Sequence, residues 1–293
     1  MDNVLILGGT QFFGKRLVEK LLKQGKSVTI ATRGKTKDPF GDRVQRLIID
    51  REDKESIINE TEGKNWDVVY DQTCYSPQEA RDAAEALKEK VKRYIFTSTM
   101  AVYDYGTNNV EENFNPYEYQ ITYKGRRDYP GYEGYKEAKR ASEAHLFQET
   151  NFEVVAIRFP IVIGKDDYTN RLKLHVEKVM GNEPIGIPNE EARYSFILSH
   201  EAASFLYEMG LSNFTGPVNP GCDGDISMGE LMRKIEGITE LKAKITNELT
   251  PENASPYALP GSWSINTNKV KELGYSFSDL HQTLDELIHY YKG

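Results

Sequence analysis

The sequence predicts an α/β protein built on a doubly wound parallel sheet, with a smaller mixed lobe towards the C-terminus. Three observations predict it. Short apolar runs alternate with helical patterns over residues 1–165. The first run ends in a glycine-rich turn, Gly8-Gly9-Thr10-Gln11-Phe12-Phe13-Gly14, that leads straight into a helix. Beyond residue 165 the alternation gives way to loops marked by Pro184, Pro188, Pro217, Pro220, Pro251, Pro256 and Pro260. Strands and helices alternating at this spacing need right-handed crossovers and give a parallel sheet covered on both faces.

Asn3 to Leu7 reads as the first buried strand, stopped by Gly8-Gly9. Leu17, Val18, Leu21 and Leu22 then share one helical face, which Gly25 ends. Further strands are expected at 27–32, 43–49, 66–71, 93–97 and 152–163, with helices at 77–90 and 135–147. Ala80, Ala83, Ala84 and Leu87 are the inward positions of the first of these helices. The polar, tyrosine-rich stretch 103–132 is long for a connection and is a candidate substrate loop. Residues 1–165 are thus expected to form a dinucleotide-binding domain and 166–293 mainly a substrate lobe. A helix at 201–209 is expected to return to the main sheet.

A hydrophobic content of 39% supports a sizeable core, and the net charge of −8 disfavours a partner that needs a positive field, whether nucleic acid or an anionic membrane. Small-molecule chemistry stays open. Cys74 and Cys222 are too few for a disulfide scaffold, and the apolar N-terminal run is too short for a signal or membrane helix. The expected location is therefore the cytoplasm. No His, Cys and carboxylate cluster has metal-ligand spacing, so no metal site is expected.

The glycine turn lies where backbone N–H groups and the positive end of a helix meet a ligand's pyrophosphate. Gly8, Thr10, Gln11, Phe12, Phe13 and Gly14 are the candidate cofactor contacts, in a Rossmann-type arrangement. The second strand ends in Thr32-Arg33-Gly34-Lys35 without an acid, so Arg33 points to NADP rather than NAD. Solvated turn charges are the plainer reading. Asp50, ending the third strand, is placed to accept from the adenine amino group or else to cap a helix.

Tyr135 and Lys139 stand four apart on a predicted helix and share a face. A free tyrosine is a poor base at neutral pH. An adjacent ammonium and an oxidised nicotinamide favour its phenolate, and a fall of about three units takes roughly 4 kcal/mol. Tyr132 and Lys136 have the same spacing, so the pattern alone leaves the register open.

The turn Gly8-Gly9-Thr10-Gln11-Phe12-Phe13-Gly14, the run Tyr135-x-x-x-Lys139-x-x-x-Glu143 and the segment Thr99-Met100-Ala101-Val102-Tyr103 together resemble the extended and atypical short-chain dehydrogenase/reductase superfamily, in its NAD-dependent epimerase/dehydratase-like branch. The resemblance covers nearly the whole chain. It selects Tyr135 and Lys139 over Tyr132 and Lys136, because Glu143 fits the helix motif and Arg140 does not. It implies catalysis by Thr99, Tyr135 and Lys139, with Tyr135 as acid/base and hydride passing to or from NADP or NAD, and it makes Tyr135 and Lys139 cofactor contacts as well, Lys139 holding the nicotinamide ribose. It also implies pairing into a homodimer. Met100-Ala101 stands where dehydratases of the branch carry Asp-Glu, and Ile161 where sugar epimerases carry an asparagine. Dehydration and a nucleotide-sugar substrate are both disfavoured by these departures. The expected activity is that of an oxidoreductase or epimerase on a hydroxyl or carbonyl carbon of a small, sugar-like molecule. The alternative is a catalytically idle nucleotide sensor or RNA-binding scaffold of the same fold, for which Lys124, Arg126 and Arg127 offer a basic patch.

Overall fold

A computed structural model describes all 293 residues. They form two compact units, one of Met1–Val102, Glu111–Phe159 and His200–Val218, the other of Tyr103–Val110, Pro160–Ser199 and Asn219–Gly293. The first holds a single seven-stranded sheet. Its strands are β1 (Asn3–Leu7), β2 (Ser27–Thr32), β3 (Gln45–Ile48), β4 (Val68–Asp71), β5 (Arg93–Thr99), β6 (Glu153–Phe159) and β7 (Gly216–Val218). The order is β7-β6-β5-β4-β1-β2-β3 and every neighbouring pair is parallel. The chain winds outward from β1 to β3, then returns across β1 to β4 and winds the other way. The connections leaving β1 and β4 therefore part, which opens a crevice at the carboxyl ends of these strands.

Helices α1 (Phe12–Lys23), α2 (Lys54–Thr61), α3 (Pro77–Leu87), α4 (Gly131–Gln148) and α5 (Ser199–Leu211) accompany the sheet. Val4 to Leu7 are fully buried, as a strand covered on both faces requires. In α1 the buried positions include Leu17, Val18 and Leu21, matching the apolar stripe, whereas Leu22 is only half-buried. Ser76 caps α3 by accepting from the Glu79 N–H, and Pro77 opens its first turn. Ala80 and Ala83 on α3 and Ala138, Ala141 and Ala144 on α4 are buried where these two helices pack, small side chains allowing a close approach. The short α2 is not among the helices expected from the sequence. Asp53 caps it, and only Ile57 and Thr61 are buried on it, too few to make a readable stripe.

The run 152–163, expected as one strand, is two. Pro160 has no N–H to give a ladder, so β6 ends at Phe159 and Ile161–Ile163 pairs instead with Phe196–Leu198. Nor is 103–132 structureless, because Gly106–Asn109 is a strand beside Trp263–Ile265. Two arginines pin distant parts of the first unit. Arg93 donates to the Met209 and Phe214 carbonyls at 2.7 and 2.6 Å. Arg158, fully buried, pairs with Glu143 at 2.8 Å and donates to the carbonyls of Glu111 and Phe114. Ser98 donates to the same Glu143.

The second unit is mixed. Its largest sheet runs Ile226–Ser227, Arg193–Tyr194, Trp263–Ile265, Gly106–Asn109, with only the first pair antiparallel. Arg193 is clasped by Asp225 at 2.7 Å and Glu230 at 3.1 Å. His175 stacks on buried Tyr257 with centroids 5.1 Å apart and bonds the Arg171 carbonyl and the Ser255 hydroxyl.

Burial, and secondarily Lys178, pushes the His175 pKa down to about 4; in the first unit burial and then Arg81 do the same to His145. Both rings are neutral in the fold. Between pH 6.5 and about 4 the unfolded chain binds these protons and the folded chain does not, so stability falls as the pH falls through that window. Each histidine contributes on the order of 3 kcal/mol to the full fall. Urea midpoints measured from pH 8 to 5 are expected to drop below pH 6.5, with a shallower fall in His175→Gln and His145→Gln.

Candidate functional site

The site begins where β1 gives way to α1. Gly8 has φ +113°, a conformation L side chains rarely adopt, and a Cβ there would stand 2.9 Å from Thr73 Cγ2. At Gly14 a Cβ would lie 2.3 Å from Gln72 Oε1 and 3.3 Å from Gly9 Cα. Both positions are closed to any larger residue unless their neighbours move. Gln11 takes the N-cap position in extended backbone with no side-chain cap bond, so no side chain of its own competes for the helix's first N–H groups. Phe12 is held at φ +48°, a strained conformation for a phenylalanine. Phe13 packs on Phe159 with centroids 5.5 Å apart.

Gly8, Thr10, Gln11, Arg33 and Asp50 line one groove of about 250 Å³ at this turn. Phe12, Phe13 and Gly14 are not among its walls; they shape the turn behind it. Lys35, Arg51, Thr73, Tyr75 and Arg126 complete much of the lining. Four cations, Arg33, Lys35, Arg51 and Arg126, thus face it against the single carboxylate of Asp50. Asp50 accepts from the Glu52 N–H, and Asp53, rather than Asp50, caps α2.

Arg51 is buried and donates to Asp71 Oδ2 at 2.9 Å, to which the Tyr94 hydroxyl also donates at 2.5 Å. Burial works against its charge, but Asp71, followed by Tyr94, Cys74 and Glu79, outweighs that and its pKa is raised. Its Nε and Nη1 have no hydrogen-bond partner, and neither has Gln72 Nε2. Such buried donors are what a polar ligand would satisfy. Cys74 lies behind, its thiol pushed up to about 12 by burial and then by Asp71, and so is not a nucleophile at neutral pH.

On α4, Lys139 is buried and its Nζ donates to the Thr97 carbonyl at 2.9 Å, beneath the end of β5. The same Nζ stands 5.2 Å from the Tyr75 ring centroid and 4.8 Å from that of Phe96. Tyr135, one turn earlier, is half-buried, whereas Tyr132 is exposed and Lys136 pairs with Glu133 at 3.0 Å. Thr99 ends β5, half-buried, and its Oγ1 accepts from the Ala101 N–H at 3.2 Å. Glu143, the last member of the helix motif, faces inward to Arg158.

The groove and the helix face are therefore joined through Tyr75, a residue the sequence did not single out. Arg51 was equally hidden, since its importance comes from a neighbour far off in the chain. The cations of the basic patch are in part engaged within the fold. Arg126 is held by Glu79 at 2.5 and 2.8 Å and Arg127 by Glu52 at 3.1 Å, so two of its three cations are already paired. No group of three His, Cys, Asp or Glu gathers as a metal site, and no helix is long and apolar enough to cross a membrane.

Comparison with known proteins agrees with this architecture. The chain superimposes on a UDP-glucose 4-epimerase from Thermus thermophilus solved in complex with NAD, with TM-score 0.74, 17% identity and 99% of each chain covered. A dTDP-glucose 4,6-dehydratase from Bacillus anthracis, also in complex with NAD, gives TM-score 0.74 at 13% identity over 100% of this chain and 97% of that one. In sequence it is 26% identical over 224 residues to the chloroplast stem-loop binding protein of 41 kDa b from Arabidopsis thaliana, a match covering 71% of this chain and 55% of the relative. The chain thus spans about half the length of that relative. Residues 4–217 match the family model described as NAD dependent epimerase/dehydratase family, and the protein belongs to that family.

Proposed function

We propose that the protein is an NAD(P)-dependent oxidoreductase or epimerase acting on a hydroxyl or carbonyl carbon of a small, sugar-like substrate. One adjacency carries the reading. Tyr75 lines the groove at the glycine turn and lies 5.2 Å from Lys139 Nζ, so nucleotide groove and Tyr135/Lys139 helix meet at one side chain. The residues fit a dinucleotide: Gly8 and Gly14 leave a cradle that a Cβ would fill, and Arg51 offers unpartnered donors beside it. When bound, a nicotinamide supplies hydride acceptance and donation at the substrate carbon. Tyr135 moves the proton at the substrate oxygen, Lys139 favours its phenolate, and Thr99 donates a hydrogen bond to the same oxygen. Incubating the protein with NAD+ or NADP+ and a panel of nucleotide sugars and hydroxylated molecules tests this. Mass spectrometry of freshly purified, denatured protein separates the two chemistries, because an epimerase retains its cofactor and a reductase exchanges it.

Arg33 and Lys35, the two groove cations not held by Asp71 or Glu79, favour a ligand with an extra phosphate, which supports NADP over NAD. Calorimetric titration of Arg33→Ser is expected to show NADP+ affinity reduced by about tenfold or more, with NAD+ changed much less. Tighter binding of NAD+ by the unaltered protein would reverse the preference. The stem-loop binding relative favours a second reading, an RNA-binding scaffold. Salt-sensitive RNA binding that depends on Arg126 and Arg127, with no turnover of any substrate tried, would support that reading instead.

A further inference from the structure

Arg126 belongs to the 17-residue stretch between the 3₁₀ turn Glu111–Asn113 and α4, well away in sequence from the glycine turn, yet it is part of the groove wall. Its guanidinium grips both oxygens of Glu79, donates weakly to the Thr73 carbonyl at 3.4 Å, and lies 5.1 Å from the Tyr75 ring centroid. Glu79 is itself fixed, 2% exposed in the first turn of α3 and accepting from the Tyr75 N–H. The next residue, Arg127, reaches Glu52 in the turn between β3 and α2. Two consecutive arginines therefore tie one segment to the turns after β3 and after β4, both of which border the groove. The Tyr75 ring, close to the guanidinium of Arg126 and to the ammonium of Lys139, connects this clasp to the helix face.

We propose that Arg126 is a cofactor-positioning residue: clasped by Glu79, it closes one side of the groove over the bound dinucleotide and, through Tyr75, sets how fast that dinucleotide leaves. The inference rests on the dinucleotide reading above. Carboxylate and guanidinium meet in a two-point fork, which fixes direction as well as charge. Release then requires the fork to open, and Arg127 adds only an exposed second tie.

The test uses the full chain loaded with NADPH or NADH and chased with excess oxidised dinucleotide, release being followed by nicotinamide fluorescence. Glu79→Gln keeps an acceptor for the Tyr75 N–H but loses the ion pair, and Arg126→Ala removes the clasp from its exposed side. Both are expected to release dinucleotide at least about tenfold faster, Arg126→Ala with a lowered thermal midpoint because it strands the buried Glu79 carboxylate, and Arg126→Lys to recover only part of the retention. A trypsin digest gives a second readout. Saturating dinucleotide should protect the bonds after Lys124, Arg126 and Arg127 in the unaltered protein but not in Glu79→Gln. Release rates within twofold of the unaltered protein in both Glu79→Gln and Arg126→Ala would overturn the clasp while leaving the cofactor reading intact. Failure of the unaltered protein to bind either dinucleotide would overturn both.

Discussion

Tyr135→Phe is expected to lower turnover of an identified substrate by about 10²- to 10⁴-fold while leaving dinucleotide affinity within twofold, the range that loss of a positioned acid/base produces. The expectation follows from how α4 is held. Lys139 is drawn down to the Thr97 carbonyl, which fixes the helix face on which Tyr135 stands one turn earlier. The phenylalanine keeps the ring and its packing and removes only the oxygen that would carry the proton. Transient kinetics of nicotinamide reduction, set beside a calorimetric affinity, separates the two effects. Unchanged turnover in this variant would remove Tyr135 from the chemistry.

Glu143→Gln is expected to be the most damaging single change to stability, costing about 3–5 kcal/mol. Arg158 is fully buried and Glu143 pairs with it at 2.8 Å, so the substitution takes a carboxylate away from a cation that burial has already stripped of water. Arg158 also holds the carbonyls of Glu111 and Phe114, so the loss extends to the start of the segment that leads to Arg126. The melting temperature should fall by roughly 10 °C for a protein of this size. Adding Arg158→Met removes the stranded charge and should restore much of that loss, as replacing a buried ion pair by apolar packing often does. A single variant as stable as the unaltered protein would mean that the pair contributes nothing.

That pair also explains how much could be read beforehand. The pattern alone did not separate Tyr135 and Lys139 from Tyr132 and Lys136; the resemblance chose between them through Glu143, which in the structure faces inward to Arg158. The strands at Asn3–Leu7 and Ser27–Thr32 were legible because sheet burial writes a continuous apolar run into neighbouring residues. The remainder depends on partners distant in the chain. Arg51 meets Asp71 across 20 residues, and Arg126 meets Glu79 across 47, and no local period records either. Helix α2 buries too little to leave a stripe, and Pro160 breaks a run that is mostly apolar on either side of it. The groove's positive lining was foreseen only at Arg33 and Lys35, because only these sit beside the strand end where a nucleotide was expected.

The edge strand β7 has a consequence for how the protein is made. It joins β6 through residues 216–218, more than fifty residues after β6 ends, and Arg93 waits for the carbonyls of Met209 and Phe214. During synthesis the ribosome releases β1 to β6 first, leaving a bare row of N–H and C=O groups along β6. Until residue 218 has emerged, that margin is a template for a stranger's strand. A chain halted at 165 would carry it permanently, and should be soluble only with a chaperone or a partner covering it.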